Sequence, residues 1–229
     1  MSANNDLMLD VSQAAELKLA FRRNGWNNAQ IKTLSEGDIL AKVLQVITGQ
    51  AEIKLISEPI RNWREENNVI YFSVTSDGTT GEQWIARLES KGYHVSDYAK
   101  SLLRSKDFQP TSGVTTEIAV LKGMIFKDAD RVTKKIRKNA EDRKFSTPNA
   151  EVACLIREMF TDEEIKAMGL SWIVIMHEPI KDSGGGLRLL RTGRRSDGGW
   201  LSARYGRSAN QWDSGNGFAF AVSQVGLAA

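Results

Sequence analysis

Apolar positions recur at helical spacing through the first fifty residues and at strand spacing afterwards. Asp10 and Gln13 stand as a capping-box pair before Val11, Ala14, Ala15, Leu17 and the Leu19–Phe21 stretch, and Gly25 ends that run. Trp26 to Leu34 reads as a short second helix. Ser35 is expected to cap a third, in which Ile39, Leu40, Val43, Leu44 and Ile47 follow the i, i+3, i+4 rule up to Gly49. The polar stretch around Trp63 reads as a connector. The expected division is a helical module at residues 1–50, a connector at 51–68 and a second domain at 69–229.

The second part mixes the two periods. Val69–Thr75 is β-branched and aromatic, as a strand requires, and Trp172–His177 is another such run. Between them lie helical segments: Glu82–Ser90, one that Ser96 or Asp97 caps, a polar one at Asp128–Lys144, one around Cys154 that Thr147-Pro148 is expected to start, and one that Thr161 and Glu164 cap. Thr115–Phe126 fits strand and helix equally. Beyond Glu178 the chain is glycine-rich with short apolar runs, the pattern of an antiparallel β meander. The expected class is therefore α+β, a helical N-terminal module followed by a mixed domain.

Charge changes this picture most. Arg188, Arg191, Arg194, Arg195, Arg204 and Arg207 face only Asp197 within their own segment, a local surplus of five in a chain whose formal charge is +3. Basic residues, Lys134 and Lys138 among them, also outnumber acids in Asp128–Lys144. Concentrated cations with Trp200, Tyr205 and Trp212 nearby suit RNA or single-stranded DNA, whose phosphates pair with arginine and whose bases stack on aromatic rings. The bland alternatives are a salt-bridged helix face and aromatics that belong to the core. Residues 1–60 carry six basic and seven acidic residues, which argues against a DNA-reading helix-turn-helix there. The opposite signs of the two regions also fit a homo-oligomeric interaction module.

Catalytic readings are thinner. His177, Glu178 and Asp182 stand where a strand runs out into Ser183-Gly-Gly-Gly186, a place for an acid–base group in a small hydrolase or transferase. The turn Ser76–Gly81 before a helix could hold that substrate's anionic group, although it matches neither established nucleotide loop. One cysteine and two distant histidines supply no structural zinc set, and Cys154 reads as a small buried hydrophobe. No metal and no cofactor is expected. The absence of a signal-like start, of a long apolar run and of paired cysteines points to a cytoplasmic protein with no membrane partner.

Five phrases form a set: Ser76-Asp-Gly-Thr-Thr-Gly-Glu-Gln-Trp-Ile85, Gly113–Gly123, Pro148–Glu158, Met176-His-Glu-Pro-Ile-Lys-Asp-Ser183 and Gly217–Val225. Together they resemble a group of uncharacterised bacterial proteins known from the genomes of uncultivated bacteria. The likeness spans about residues 69–225, with Trp26–Glu52 similar to a leader recurrent in that group. It implies a bacterial domain and carries no activity, cofactor or site residue.

Overall fold

The computed structural model describes residues 10–36, 38–53 and 61–222. The chain divides into two units, residues 1–60 and 61–229. The first holds α1 (Val11–Arg23), α2 (Asn28–Ser35) and α3 (Ile39–Ile47). Reciprocal capping boxes start α1, from Asp10 and Gln13, and α2, from Asn27 and Gln30. Asp38, not Ser35, precedes α3, and it makes no side-chain cap. None of the described residues of this unit is buried.

The second unit is built on a ten-stranded mixed sheet and five helices: β1 (Arg64–Glu66), β2 (Val69–Asp77), α4 (Gly81–Ser90), β3 (His94–Val95), α5 (Asp97–Leu103), β4 (Ser112–Lys122), α6 (Thr133–Asp142), β5 (Phe145–Ser146), α7 (Val152–Met159), α8 (Asp162–Ala167), β6 (Trp172–Ile175), β7 (Ile180–Lys181), β8 (Leu187–Arg195), β9 (Gly198–Tyr205) and β10 (Asn216–Val222). The order across the sheet is β1-β2-β4-β10-β6-β8-β9-β3, with β5 paired to β10 and β7 to β8. The class is α+β.

Period 2 along the strands sends alternate residues into two cores. Ile70, Ile118, Ile173, Leu190 and Leu201 share one core with Trp84, Leu102 and Ile156 of α4, α5 and α7. Val69, Leu121, Val174, Leu189 and Phe218 share the other with Ile136 and Ala140 of α6.

Four sequence expectations change. The connector is partly sheet: Asn67 and Asn68 both take positive φ and close a tight hairpin that pairs β1 with β2, while Trp63 is buried. Residues 61–66 therefore belong to the second unit, and their polarity reflects an exposed edge strand. The Thr115–Phe126 ambiguity resolves as β4 followed by a 3-10 turn at Gly123–Ile125. Thr147-Pro148 does not start α7, which begins at Val152 after Glu151. The meander ends at β9, because β10 returns to the middle of the sheet, antiparallel to β4 and parallel to β6.

Gly81 opens α4 against the end of α5, where a Cβ would lie 1.8 Å from the Leu103 carbonyl oxygen. Backbone cannot yield as a flexible side chain does, so Gly81→Ala should push the two helices apart and cost about 2–4 kcal/mol. Urea denaturation checks this; an unchanged midpoint would refute the close approach.

Candidate functional site

The register of the β8–β9 hairpin sorts the arginines. Leu189 pairs with Arg204, Arg191 with Ser202, Gly193 with Trp200 and Arg195 with Gly198. Leu189 belongs to the α6-side core, so Arg191, Arg195 and Arg204 project to that side, and Lys134 and Lys138 lie on the helix covering it. Leu190 belongs to the opposite core, so Arg188 and Arg194 project to the other side. The expected cluster is thus divided.

Arg188 is buried and committed internally. Its Nε donates to Asp182, and its guanidinium lies 3.6 Å from the Tyr98 ring centroid and 4.2 Å from that of Tyr205. Asp182 also accepts from the Gly184 and Gly186 amides at 2.9 and 2.7 Å, closing the glycine loop. Arg188, and after it the loop amides, hold the Asp182 carboxyl below the ordinary range. Arg207 is exposed, with its guanidinium 5.2 Å from the Tyr205 ring.

Arg191, Arg195 and two indoles form a different arrangement. Trp172 of β6 pairs with Gly193, and its ring lies across that glycine, where a Cβ would stand 2.8 Å from the ring carbons. The Arg191 guanidinium sits 4.0 Å from the Trp172 ring centroid, and that of Arg195 lies 5.8 Å from Trp172 and 4.4 Å from Trp200. His94 stacks on Trp200 with centroids 4.7 Å apart. The Trp200 Nε1–H donates to Asp197 Oδ1 at 2.8 Å, which fixes the ring. A row of rings from β3, β9 and β6 therefore lies under two arginines on one sheet face.

The cations on and around this hairpin lack close ion pairs, although Asp213 acts on Arg191 and Asp197 meets Arg195 at longer range. Among the described residues, Arg191, Arg194, Arg195, Arg204, Arg207 and Lys134 make no ion pair within 4.0 Å. Arg191 is half-buried and its Nε finds no hydrogen-bond partner. Burial first, then the charges of Arg204 and Arg195, pull its pKa down to about 10. Lys138 differs, since it pairs with Asp142 at 2.8 Å.

The acid–base candidates are not assembled. His177 is buried and both ring nitrogens are occupied. Nε2 accepts from the Leu190 amide at 2.9 Å, which leaves the Nδ1–H to donate to the Glu178 carbonyl at 2.6 Å. Glu178 is exposed, and Asp182 serves Arg188. At the Ser76–Gly81 turn, Asp77 is taken by Thr79 and Arg87, which hold its carboxyl down to about 2, and Thr80 caps α4 with Gln83. Cys154 is buried, and burial raises its thiol pKa. Among the described residues, no three His, Cys, Asp or Glu side chains are grouped to hold a metal, and no helix is long and apolar enough to cross a membrane.

Trp172 and His94 are not legible in the sequence as partners of this face, because register alone brings them to Gly193 and Trp200. Trp212, by contrast, is core: its Nε1–H donates to Thr133 Oγ1 at 3.0 Å, and its ring packs on Phe218. No protein-family model, curated protein or solved structure matches the chain.

Burial lowers the His177 pKa from 6.5 to about 4. A depressed folded pKa means that neutral His177 contributes its full share above pH 6.5. That share is lost as pH falls toward 4, because the unfolded chain takes up the proton first, and it amounts to about 3 kcal/mol. Urea midpoints across this range should drop on acidification, and His177→Gln should flatten that part of the profile. An unchanged slope in the variant would refute the assignment.

Proposed function

We propose that the protein binds single-stranded nucleic acid, RNA or DNA, without catalysing a reaction on it, through Arg191, Arg195, Arg204, Trp172 and Trp200. One observation carries the reading: guanidinium groups lie over two indoles on one sheet face, and among the described residues no carboxylate lies within ion-pairing distance of them. Bases stack on aromatic rings and on arginine planes alike, while phosphates answer the unpaired charge. A duplex hides its base faces, so rings and guanidinium planes gathered on a sheet face favour an unpaired strand. Arg188 and Tyr205 support the hairpin from the other side.

Fluorescence anisotropy with an oligonucleotide of about ten nucleotides tests this. Affinity should fall steeply with salt, and Arg195→Ala combined with Arg204→Ala should reduce the log–log slope by about 1.4 if each contacts one phosphate. Trp200→Ala should weaken binding by about 1–3 kcal/mol. No binding at low salt, or equal binding by all variants, would end the proposal.

A second reading, self-association, is supported by the exposure of α3, where Leu44 and Ile47 are 59% and 76% exposed. A helix apolar on nearly every side is stable in water only when covered. A second copy is the occupant favoured by charge, since residues 1–60 lean acidic and the arginine segment is strongly basic. Sedimentation over a range of concentration and salt should reveal an oligomer that Leu44→Glu dissociates; a monomer throughout would refute it.

A further inference from the structure

Beside α6 lies a cleft of about 360 Å³ whose chemistry differs from that of the tryptophan face. Thr133, Lys134, Arg137, Lys138 and Glu141 line it from one flank of the helix, and Ser208 faces them from the chain beyond β9. The spacing i, i+1, i+4, i+5, i+8 keeps these side chains together while Ile136 and Ala140 enter the core. The Lys134 amide donates to the Ser208 carbonyl at 2.9 Å, which ties the opposite wall to the start of the helix. Thr133 Oγ1 accepts from Trp212, so its own hydroxyl proton remains available to donate.

The charges in this cleft do not cancel. Lys138 is bridged to Asp142 at 2.8 Å and approaches Glu141 at 3.8 Å. Lys134 is exposed and makes no ion pair among the described residues. Arg137 is half-buried. Its Nη2 donates to the His177 carbonyl at 2.6 Å, and no carboxylate lies within ion-pairing distance of it. Burial lowers its pKa, with Glu178 and Glu141 only partly offsetting the cost. A guanidinium held from behind by a carbonyl keeps its other N–H groups for a ligand. Two cations one turn apart with no ion pair among the described residues, the buried Thr133 hydroxyl and the exposed Ser208 beside them, match a tetrahedral dianion better than a carboxylate.

We infer that the cleft between α6 and Ser208 binds a phosphoryl group through Lys134 and Arg137. Two sources share this chemistry: a free phosphate monoester and the terminal phosphate of a nucleic-acid strand. The inference does not rest on the tryptophan face, since none of that face's rings or arginines enters the cleft.

Calorimetric titration of the full chain with a nucleoside monophosphate should show saturable binding at one site per chain. Lys134→Gln, at an exposed position whose loss leaves the core intact, should weaken it about tenfold or more, as should Arg137→Lys, while Arg195→Ala should leave it unchanged. The source is read from oligonucleotides with a 5′-phosphate, a 3′-phosphate or neither. Tighter binding of one phosphorylated end, removed by Lys134→Gln, assigns the cleft to a strand terminus. Equal affinity of all three alongside monophosphate binding assigns it to a free ester. Absence of saturable monophosphate binding together with indifference to the end group would overturn the inference, as would binding that survives Lys134→Gln unchanged. Arg195→Ala acts on the face and Lys134→Gln on the cleft, so failure of one reading is distinguishable from failure of the other.

Discussion

β8 lies between β6 and β9 and buries consecutive leucines in opposite directions, Leu189 toward α6 and Leu190 toward α4, α5 and α7. Neither leucine can turn outward without opening a core, and a shift of one residue would exchange them along with every other side chain on the strand. The direction of each arginine follows from this pair. Arg191 and Arg195 stand two and six positions beyond Leu189 and share its face. Arg188 and Arg194, two positions before Leu190 and four beyond it, share the opposite face. Cross-strand pairing then carries the constraint outward, because it places Trp200 and Trp172 on either side of Gly193, and Gly193 is the gap through which the Trp172 ring passes. The tryptophan–arginine face is thus a consequence of how two leucines are buried.

Legibility in the sequence followed the locality of the cause. The capping boxes of α1 and α8 join residues three apart and were readable directly, as were the β-branched runs of β2 and β6. β1 was missed because an exposed edge strand is polar and owes its conformation to the Asn67-Asn68 turn and a partner strand. The arginine cluster was visible as composition, yet its division between faces depends on register, which composition does not contain. His177 misled for a related reason. Its neighbours Glu178 and Asp182 suggested an acid–base set, but its ring is saturated by the Leu190 amide, thirteen residues away on another strand. The Leu189-Leu190 doublet was the one available signal, since a doublet inside a strand implies two buried faces.

The buried and the surface arginines separate into two populations by what surrounds the guanidinium. Arg131 donates to the carbonyls of Gly123 and Phe126 and to Asp128, while Arg157 donates to those of Gly193 and Phe160 and to Asp162. Arg188 has Asp182 and two tyrosine rings. In each case most of the N–H groups meet oxygen or an aromatic face, although the Arg157 Nε, like that of Arg191, finds no partner, and removing the partner carboxylate would leave a buried ion at a large penalty. Arg191 and Arg195 have rings beneath them but no ion pair among the described residues, with Asp213 and Asp197 acting only at longer range, and with Arg204 they repel one another on the same face. An isolated cation–π contact contributes only about 0.5–1 kcal/mol at an exposed site, which does not offset the desolvation of a half-buried guanidinium with an unpartnered Nε. The fold therefore holds these groups at some cost to its own stability. A ligand that supplies negative charge and flat apolar surface would relieve both the repulsion and the unmet hydrogen-bonding capacity, and the same reasoning applies to Arg137 in its cleft. Pairing state, more than the number of basic residues, separates the arginines that build this protein from those that make no ion pair among the described residues.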